Sequence, residues 1–369
     1  MIYLDYAANT PVDPKILKVY NEATITYIAN PNSSHGLGKI AKLRIDEASD
    51  FISKYFNCNK ESIIYTSGAS ESNNLVIKGI CERNREKGNH IIISGVEHSS
   101  VIAPVNYLVQ NGFDVTIIPL TKEGTVNVKK LKRAIKQDTI LVSICAVDGE
   151  LGTIQPIEEI GEIVRKHKNC VFHTDATQAI GKVEINYDNV DFITFAPHKF
   201  FGLNGSGVLV NRNNIKLTPL IHGGKSTTVF RSGTPVIANA IATAEALKIA
   251  IKNLKKRTKY ISKLNTYLRK ELSKLNYVHI NSVENSIPNT LNISLINKDT
   301  KNIINKLSEK DIYVSSTTAC SLDNIPSKSV LAITNDNDLA SNTIRISFSH
   351  LTTKEELNVF LKYLKKYSK

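Results

Sequence analysis

Between Ile63 and Val210, short apolar runs alternate with longer amphipathic stretches, and this alternation limits the possible folds more than any other feature. The runs near Ile63, Ile92, Val115, Val142, Val171, Ile193 and Val208 read as strands. The stretches Ser72–Lys87, Ser99–Asn111, Val128–Lys136 and Glu158–Lys168 read as helices. Apolar strands separated by helices predict an α/β fold, a mostly parallel sheet with helices on both faces. Such a sheet binds ligands beyond the C-terminal ends of its strands. Gly68–Ser70, Asp175 and Ala196–Lys199 all fall at those ends.

Outside this region, Asp13 is placed to cap, and Pro14 to open, a helix running to about Ile28. Ala29–Ser34 is a polar loop, and a long amphipathic helix spans Leu37 to Phe56. A linker rich in Gly, Ser, Thr and Pro runs from Asn213 to Val236, and Asn239–Leu275 reads as one long helix or two consecutive ones. A smaller α+β unit follows, with strands near Val278, Asn292, Val314 and Ile344 and helices near Asn302 and Glu355. At 369 residues, 41% of them hydrophobic, the chain is globular and long enough for two domains. No apolar run has the length of a membrane span, and the N-terminus has no basic region followed by an apolar one, so neither an anchor nor a secretory signal is expected. The five cysteines (Cys58, Cys81, Cys145, Cys170 and Cys320) are scattered without a CxxC. That predicts no disulfide framework and no metal site, and a reducing, cytoplasmic setting. The net charge of +13 is concentrated in Lys252–Lys274 and Lys362–Lys369, on what read as outer helix faces. No nucleic-acid-reading motif accompanies it, so direct nucleic-acid binding is not expected; an acidic protein partner could use the same face.

Three features at the strand ends carry chemistry. The run Asp191–Ala196 stops at Pro197, and His198-Lys199 follow among Phe195, Phe200 and Phe201 before Gly202, Gly205 and Gly207 turn the chain into the next strand. A lysine so placed is desolvated, which lowers an ammonium pKa and suits an amine that must form a Schiff base with a carbonyl cofactor. The strand Cys170–Asp175 ends in a carboxylate able to pair with a cationic ring nitrogen. The strand Ser62–Thr66 runs through Ser67–Ser70 into a helix, an anion-binding arrangement. Taken singly these are a loop lysine, a strand-end acid and a small-residue turn. Together they are the three handles of pyridoxal phosphate.

The ordered motifs extend this reading. They are Ile2-Tyr-Leu-Asp-Tyr-Ala-Ala-Asn-Thr-Pro11, Asn30-Pro-Asn-Ser-Ser-His35, Thr66-Ser-Gly-Ala-Ser-Glu-Ser-Asn73, Glu97-His98, His173-Thr-Asp-Ala-Thr-Gln178, His198-Lys199, Arg231-Ser-Gly-Thr234, Ser315-Ser-Thr-Thr-Ala-Cys320 and Ile344-Arg-Ile-Ser347. In this order the chain resembles a cysteine desulfurase of the NifS/IscS kind, in the class V aminotransferase group. The resemblance implies a fold type I transferase that binds pyridoxal 5'-phosphate, with a large domain over 13–250 and a small α+β domain formed by 1–12 and 251–369. It implies conversion of L-cysteine to L-alanine, with the sulfur left as a persulfide on Cys320. An acceptor protein for iron–sulfur assembly or for tRNA or thiamine thiolation would then take the sulfur. Lys199 would carry the cofactor and move protons, Asp175 would hold the ring nitrogen, and Gln178 would bond the phenolate oxygen. His98 would stack on the ring and relay protons. Ala69, Ser70 and His198 would contact the phosphate, and Thr234 would reach the phosphate of a neighbouring subunit in a homodimer. Arg345 and, more weakly, Asn30 would bind the substrate carboxylate.

The chain also departs from the family pattern. Ala146-Val-Asp-Gly-Glu150 stands where His-Val-Asn-Asn-Glu is usual, so the resemblance implies that Asp148 replaces an asparagine expected near the cofactor oxygen and the substrate, making it a substrate-binding candidate. A carboxylate there repels a substrate carboxylate unless it is protonated or turned away. Ala146, Gly149 and Ala196 are further changes, and Gly223–Thr228 replaces a Gly-rich loop with Gln-Glu. Two alternatives follow: a selenocysteine lyase or other class V lyase that does not use Cys320, and a catalytically degenerate binding partner retaining the fold.

Overall fold

A computed structural model describes residues 1–316 and 326–369. Its centre is a seven-stranded sheet in the order Ile63–Thr66, Gly207–Asn211, Phe192–Phe195, Val171–Asp175, Thr139–Ser143, His90–Ser94, Asp114–Ile118. From Phe192–Phe195 to Asp114–Ile118 every pairing is parallel, and Gly207–Asn211 runs antiparallel to both its neighbours. The reversal follows from chain length. Only residues 196–206 separate Phe195 from Gly207, and a parallel crossover needs about a dozen or more.

Alternation along the strands fills two cores. Ile92, Val142, Phe172, Ile193 and Val210 face one, and Ile91, Leu141, Val171, Phe192 and Leu209 face the other. Helices Gly36–Tyr55 and Ile157–Val164 and the first half of Ile237–Leu272 cover the first core; Ala69–Arg83 and Ser99–Gln110 cover the second. Each buried Val, Leu, Ile or Phe contributes about 1.5–3 kcal/mol, so the strands are gripped from both faces. Their polar C-terminal residues are left along one rim.

A third core belongs to the antiparallel strands Thr343–Ser347, Thr290–Leu295 and Val278–Ile280. Helices Thr300–Ser308 and Lys354–Tyr367 and the second half of Ile237–Leu272 pack on it, so the long helix is shared between cores. The N-terminal arm joins this unit: Ile2–Tyr3 pairs in parallel with Ile312–Tyr313, and Leu4 is buried in the third core. The short helices Lys328–Thr334 and Asn337–Ser341 were not legible in the sequence, because they lie in a polar, Asn- and Asp-rich stretch without helical periodicity. Among the described residues no helix is long and apolar enough to cross a membrane, and no group of His, Cys, Asp and Glu could hold a metal.

One contact pins the rim. A Cβ on Gly207 would lie 2.4 Å from the Gly68 carbonyl carbon, backbone against backbone. Gly207→Ala must therefore push the Ser67–Ser70 turn off the sheet. It should lower stability by about 2–3 kcal/mol, read from urea unfolding.

Candidate active site

The strand ends converge as their register requires. Thr66 pairs with Gly207, and Asp175 with Thr194 next to the strand that feeds Lys199. Helix Ala69–Arg83 begins against this rim with Gly68 as its N-cap residue and no capping side chain. The first-turn amides of Ala69 and Ser70 thus remain available as donors beside the positive end of the helix dipole. Glu71 steadies the turn, accepting from Ser67 N (2.7 Å) and pairing with Arg231 Nε (2.9 Å).

Asp175 is 7% exposed. Its Oδ1 accepts from Thr177 N (2.9 Å) and its Oδ2 from Asn73 Nδ2 (2.8 Å). Each carboxylate oxygen keeps a lone pair for another donor. Asn73 also donates to Ser100 Oγ (2.9 Å), which lies 2.8 Å from His98 Nδ1. The Ser100 amide, which can only donate, points at that same Nδ1 (3.1 Å), so the neutral imidazole carries its proton on Nε2. Burial holds the His98 pKa below its ordinary value; Asp175 opposes this and Lys199 adds to it. The same rim holds His173, bonded to Ser143 and Thr194 and pushed down by burial to about 4.

Lys199 ends a single turn of 3₁₀ helix, Pro197–Lys199. Its Nζ donates to the carbonyls of Ala7 (2.9 Å) and Ala8 (2.5 Å) on the N-terminal arm, and Gln178 Nε2 donates to the same Ala7 carbonyl (2.9 Å). Thr10 clasps the other side, donating to His198 O through Oγ1 (2.8 Å) and accepting from Phe201 N (2.7 Å). This grip holds Phe201 at φ 72°, a left-handed conformation a bulky side chain rarely adopts. His198 beside it is pushed down to about 4 by burial and by the Lys199 and Lys182 charges.

Arg345 is 2% exposed. It donates through Nη2 to Asp5 (2.8 Å) and through Nη1 to Gly149 O (3.2 Å), while its Nε is buried without a partner. Asp148, expected to face the substrate, is instead turned into its own loop. Oδ1 accepts the amides of Glu150 (3.0 Å) and Leu151 (2.5 Å), and Oδ2 accepts from Ser329 Oγ (2.7 Å). Burial nevertheless raises its pKa. Glu97, quoted in a motif but given no role, is a buried acid here. Its Oε1 accepts from Ser94 Oγ (2.5 Å) and Cys145 N (2.9 Å), and burial lifts it to about 8, helped by Asp175 and Asp148.

The structure thus gathers Ala69, Ser70, His98, Asp175, Gln178, His198 and Lys199 along the sheet's rim, and Arg345 reaches Gly149 from the strand Thr343–Ser347 of the smaller sheet. Asn73, Glu97, Lys182 and Asp5 join them, although sequence reasoning assigned them no part. Asn73 and Asp5 stood inside the ordered motifs, Asn73 also one helical turn after Ala69; a lone Lys182 had no signal. Asn30 and Thr234 are exposed in loops of this single chain. Cys320 lies outside the described residues.

The chain matches the family Aminotransferase class-V over residues 2–360. It is 36% identical over 370 residues to a protein named cysteine desulfurase IscS from Dictyoglomus turgidum, covering 99% of this chain and 94% of that one. To the cysteine desulfurase IscS of Buchnera aphidicola subsp. Baizongia pistaciae it is 38% identical, covering 97% and 90%. Among solved structures, a NifS-like protein superposes with a TM-score of 0.92 at 34% identity, covering 99% of this chain and 98% of that one. A structure titled SspA in complex with cysteine gives 0.84 at 31%, covering 96% and 100%.

Glu97 makes the site sensitive to pH. The folded chain keeps its proton up to about 8, whereas unfolded glutamate ionises near 4.5. Across that window unfolding releases a proton, so this group costs the wild type stability as pH rises. Glu97→Gln is uncharged in both states. Its stability relative to wild type should grow between pH 5 and pH 8, on the order of a few kcal/mol, in urea titrations at the two values.

Proposed function

We propose, for a chain that belongs to the class V aminotransferase family and is a pyridoxal phosphate-dependent cysteine desulfurase, that the rim residues divide the reaction as their contacts suggest. The cofactor fits them. Uncapped amides at Ala69 and Ser70 suit its phosphate. The Gly207–Gly68 contact leaves no room for a Cβ behind that turn. Asp175 has acceptor capacity for a ring N–H, and Lys199 offers an amine beside it. When bound, the cofactor supplies an electrophilic carbonyl carbon and a ring that withdraws electrons from the substrate Cα.

The chain's own groups do the rest. Asp175, fixed by Asn73 and Thr177, holds the ring proton. Neutral His98, its Nδ1 tied to Ser100, would offer its Nε2–H to the ring. Lys199 exchanges its arm-carbonyl bonds for the reaction and carries protons at the substrate carbon. The unpartnered Nε of Arg345 is the natural donor for the substrate carboxylate; its opposite side stays fixed by Gly149 and Asp5. Asp148 builds the turn that presents the Gly149 carbonyl to Arg345, and Ser329 draws its charge away from the substrate. The Cys320 thiolate then takes the substrate sulfur: an S–S bond forms as the Cβ–S bond breaks, and the electron pair remains on the carbon that becomes alanine's methyl group once protonated. An acceptor protein of iron–sulfur assembly or a thiolation enzyme receives the persulfide sulfur.

The enzyme works as a homodimer. Leu17, Ile25, Ile28, Leu37, Ile40 and Leu43 are all exposed around the first two helices, an apolar surface that a second copy would cover. The exposed Thr234 would serve the partner's phosphate.

The observation that carries this reading is the bonded chain from His98 through Ser100 and Asn73 to Asp175, on the rim that also holds Lys199. Incubation with pyridoxal phosphate and cysteine should yield alanine and a mass increase of one sulfur on Cys320. Lys199→Ala should abolish alanine formation, and Cys320→Ala should lower it at least about a hundredfold while leaving cofactor absorbance intact. Wild-type alanine release persisting in Cys320→Ala would refute the persulfide route. Asp148→Asn preserves both turn bonds, so its kcat/KM should stay within about threefold of wild type; a larger change would place Asp148 in contact with substrate.

A further inference from the structure

Lys182 follows Gly181 in the turn after strand Val171–Asp175 and is 8% exposed. A lysine this buried ordinarily pairs with a carboxylate. Among the described residues Lys182 forms no ion pair. The charges that act on it, Lys199 and Arg345, are positive, and burial together with them pushes its ammonium down to about 7. It borders a small cavity of about 30 Å³ that Lys199, Arg257, His350 and Tyr6 also line. Among the described residues no Asp or Glu lines that cavity, and none is among the charges that act on Lys182. An apolar residue would fill this position at lower electrostatic cost, so a purely structural role leaves the lysine unexplained.

Its one polar bond explains it. Lys182 Nζ donates to Gln178 Oε1 at 2.5 Å. The ammonium form of Lys182 can only donate, so it takes the Gln178 oxygen and leaves the NH2 facing the other way. That NH2 meets the Ala7 carbonyl at 2.9 Å, the same carbonyl that accepts from Lys199 Nζ at 2.9 Å. The position of Lys182 is itself rigid. Gly181 is left-handed (φ 75°), and a Cβ there would sit 3.0 Å from the Cβ atoms of Phe200 and Ala250. The turn is thereby packed against the residue that follows Lys199.

We propose that Lys182 is a positioning residue of the reaction, locking the Gln178 amide with its NH2 toward Ala7 and Lys199 and adding a positive charge on the Lys199 side of the site. The proposal rests on the reading of Lys199 and Gln178 as cofactor contacts given above. Removing that charge favours the protonated form of a basic nitrogen beside Lys199. Freeing Gln178 lets either end of its amide face the cofactor.

The test compares wild type, Lys182→Met and Lys182→Arg, each loaded with pyridoxal phosphate and checked for folding by thermal unfolding. In Lys182→Met the pH midpoint of the cofactor's visible absorbance should rise by about one unit. Its cofactor dissociation constant should rise about fivefold or more, and kcat should fall about tenfold with KM for cysteine changed less than threefold. Lys182→Arg keeps both donor and charge; its midpoint should match wild type and much of kcat should return. A Lys182→Met protein with wild-type midpoint and cofactor affinity overturns the proposal. If Lys182→Met does not fold, Lys182→Gln takes its place: it keeps a donor but no charge, and an unshifted midpoint there overturns the proposal equally. Absence of cofactor absorbance or alanine formation in wild type would instead overturn the desulfurase reading.

Discussion

The site depends on the return of the N-terminal arm. Residues 2–10 run from the third core to the rim of the large sheet and bond to both. Leu4 is buried in the third core, Ser347 N donates to Leu4 O (2.8 Å), and Ala7 N donates to Ser347 Oγ (2.9 Å). On the other side Ala7 and Ala8 receive Lys199, and Thr10 holds both His198 and Phe201. Backbone carbonyls are suited to this task. They accept hydrogen bonds without adding charge, so the arm holds the lysine without itself bringing a carboxylate to it. The left-handed Phe201 is the conformational cost of this clasp. It persists because ring contacts to His350 (centroids 4.6 Å apart) and to Arg257 (5.3 Å) over-determine it.

Electrostatics on the rim are arranged by separating signs. The basic side chains Lys199, Lys182 and Arg345 lie on the side of the arm, with Asp5 paired to Arg345. Asp175, Asp148 and Glu97 lie across the ends of the parallel strands. Each acid is managed by neutral donors: Asp175 by Asn73 and Thr177, Asp148 by two amides and Ser329, Glu97 by Ser94 and Cys145. Burial raises the pKa of both Glu97, to about 8, and Asp148.

The unusual segment Ala146–Glu150 is read differently once its contacts are known. A carboxylate at 148 in place of an amide would be a liability if it faced the substrate. Here it closes a turn and binds Ser329, while Glu150 accepts from Ser327 at the start of the helix Lys328–Thr334. The substitution and that helix work as one unit, and Leu151, Val330 and Ala340 form a small apolar cluster beneath them.

The sequence alone determined the strands, because apolar runs bounded by Gly and Pro have few other stable arrangements, and with them the edge where Asp175, Lys199 and Gly68–Ser70 had to emerge. It determined the cap of the helix Pro14–Thr26, since Asp13 and Pro14 act within one turn; Asp13 accepts from Lys15 N at 2.9 Å. What only the tertiary structure decided are the pairings between residues far apart in the chain: Asn73 with Asp175, Arg345 with Asp5, Asp148 with Ser329, Lys182 through Gln178 with the arm. Periodicity reports which face of an element is buried, because burial of apolar area acts on many residues in register. A single hydrogen bond across the fold leaves no repeating mark in the sequence, and its direction exists only after the cores have brought the two ends together.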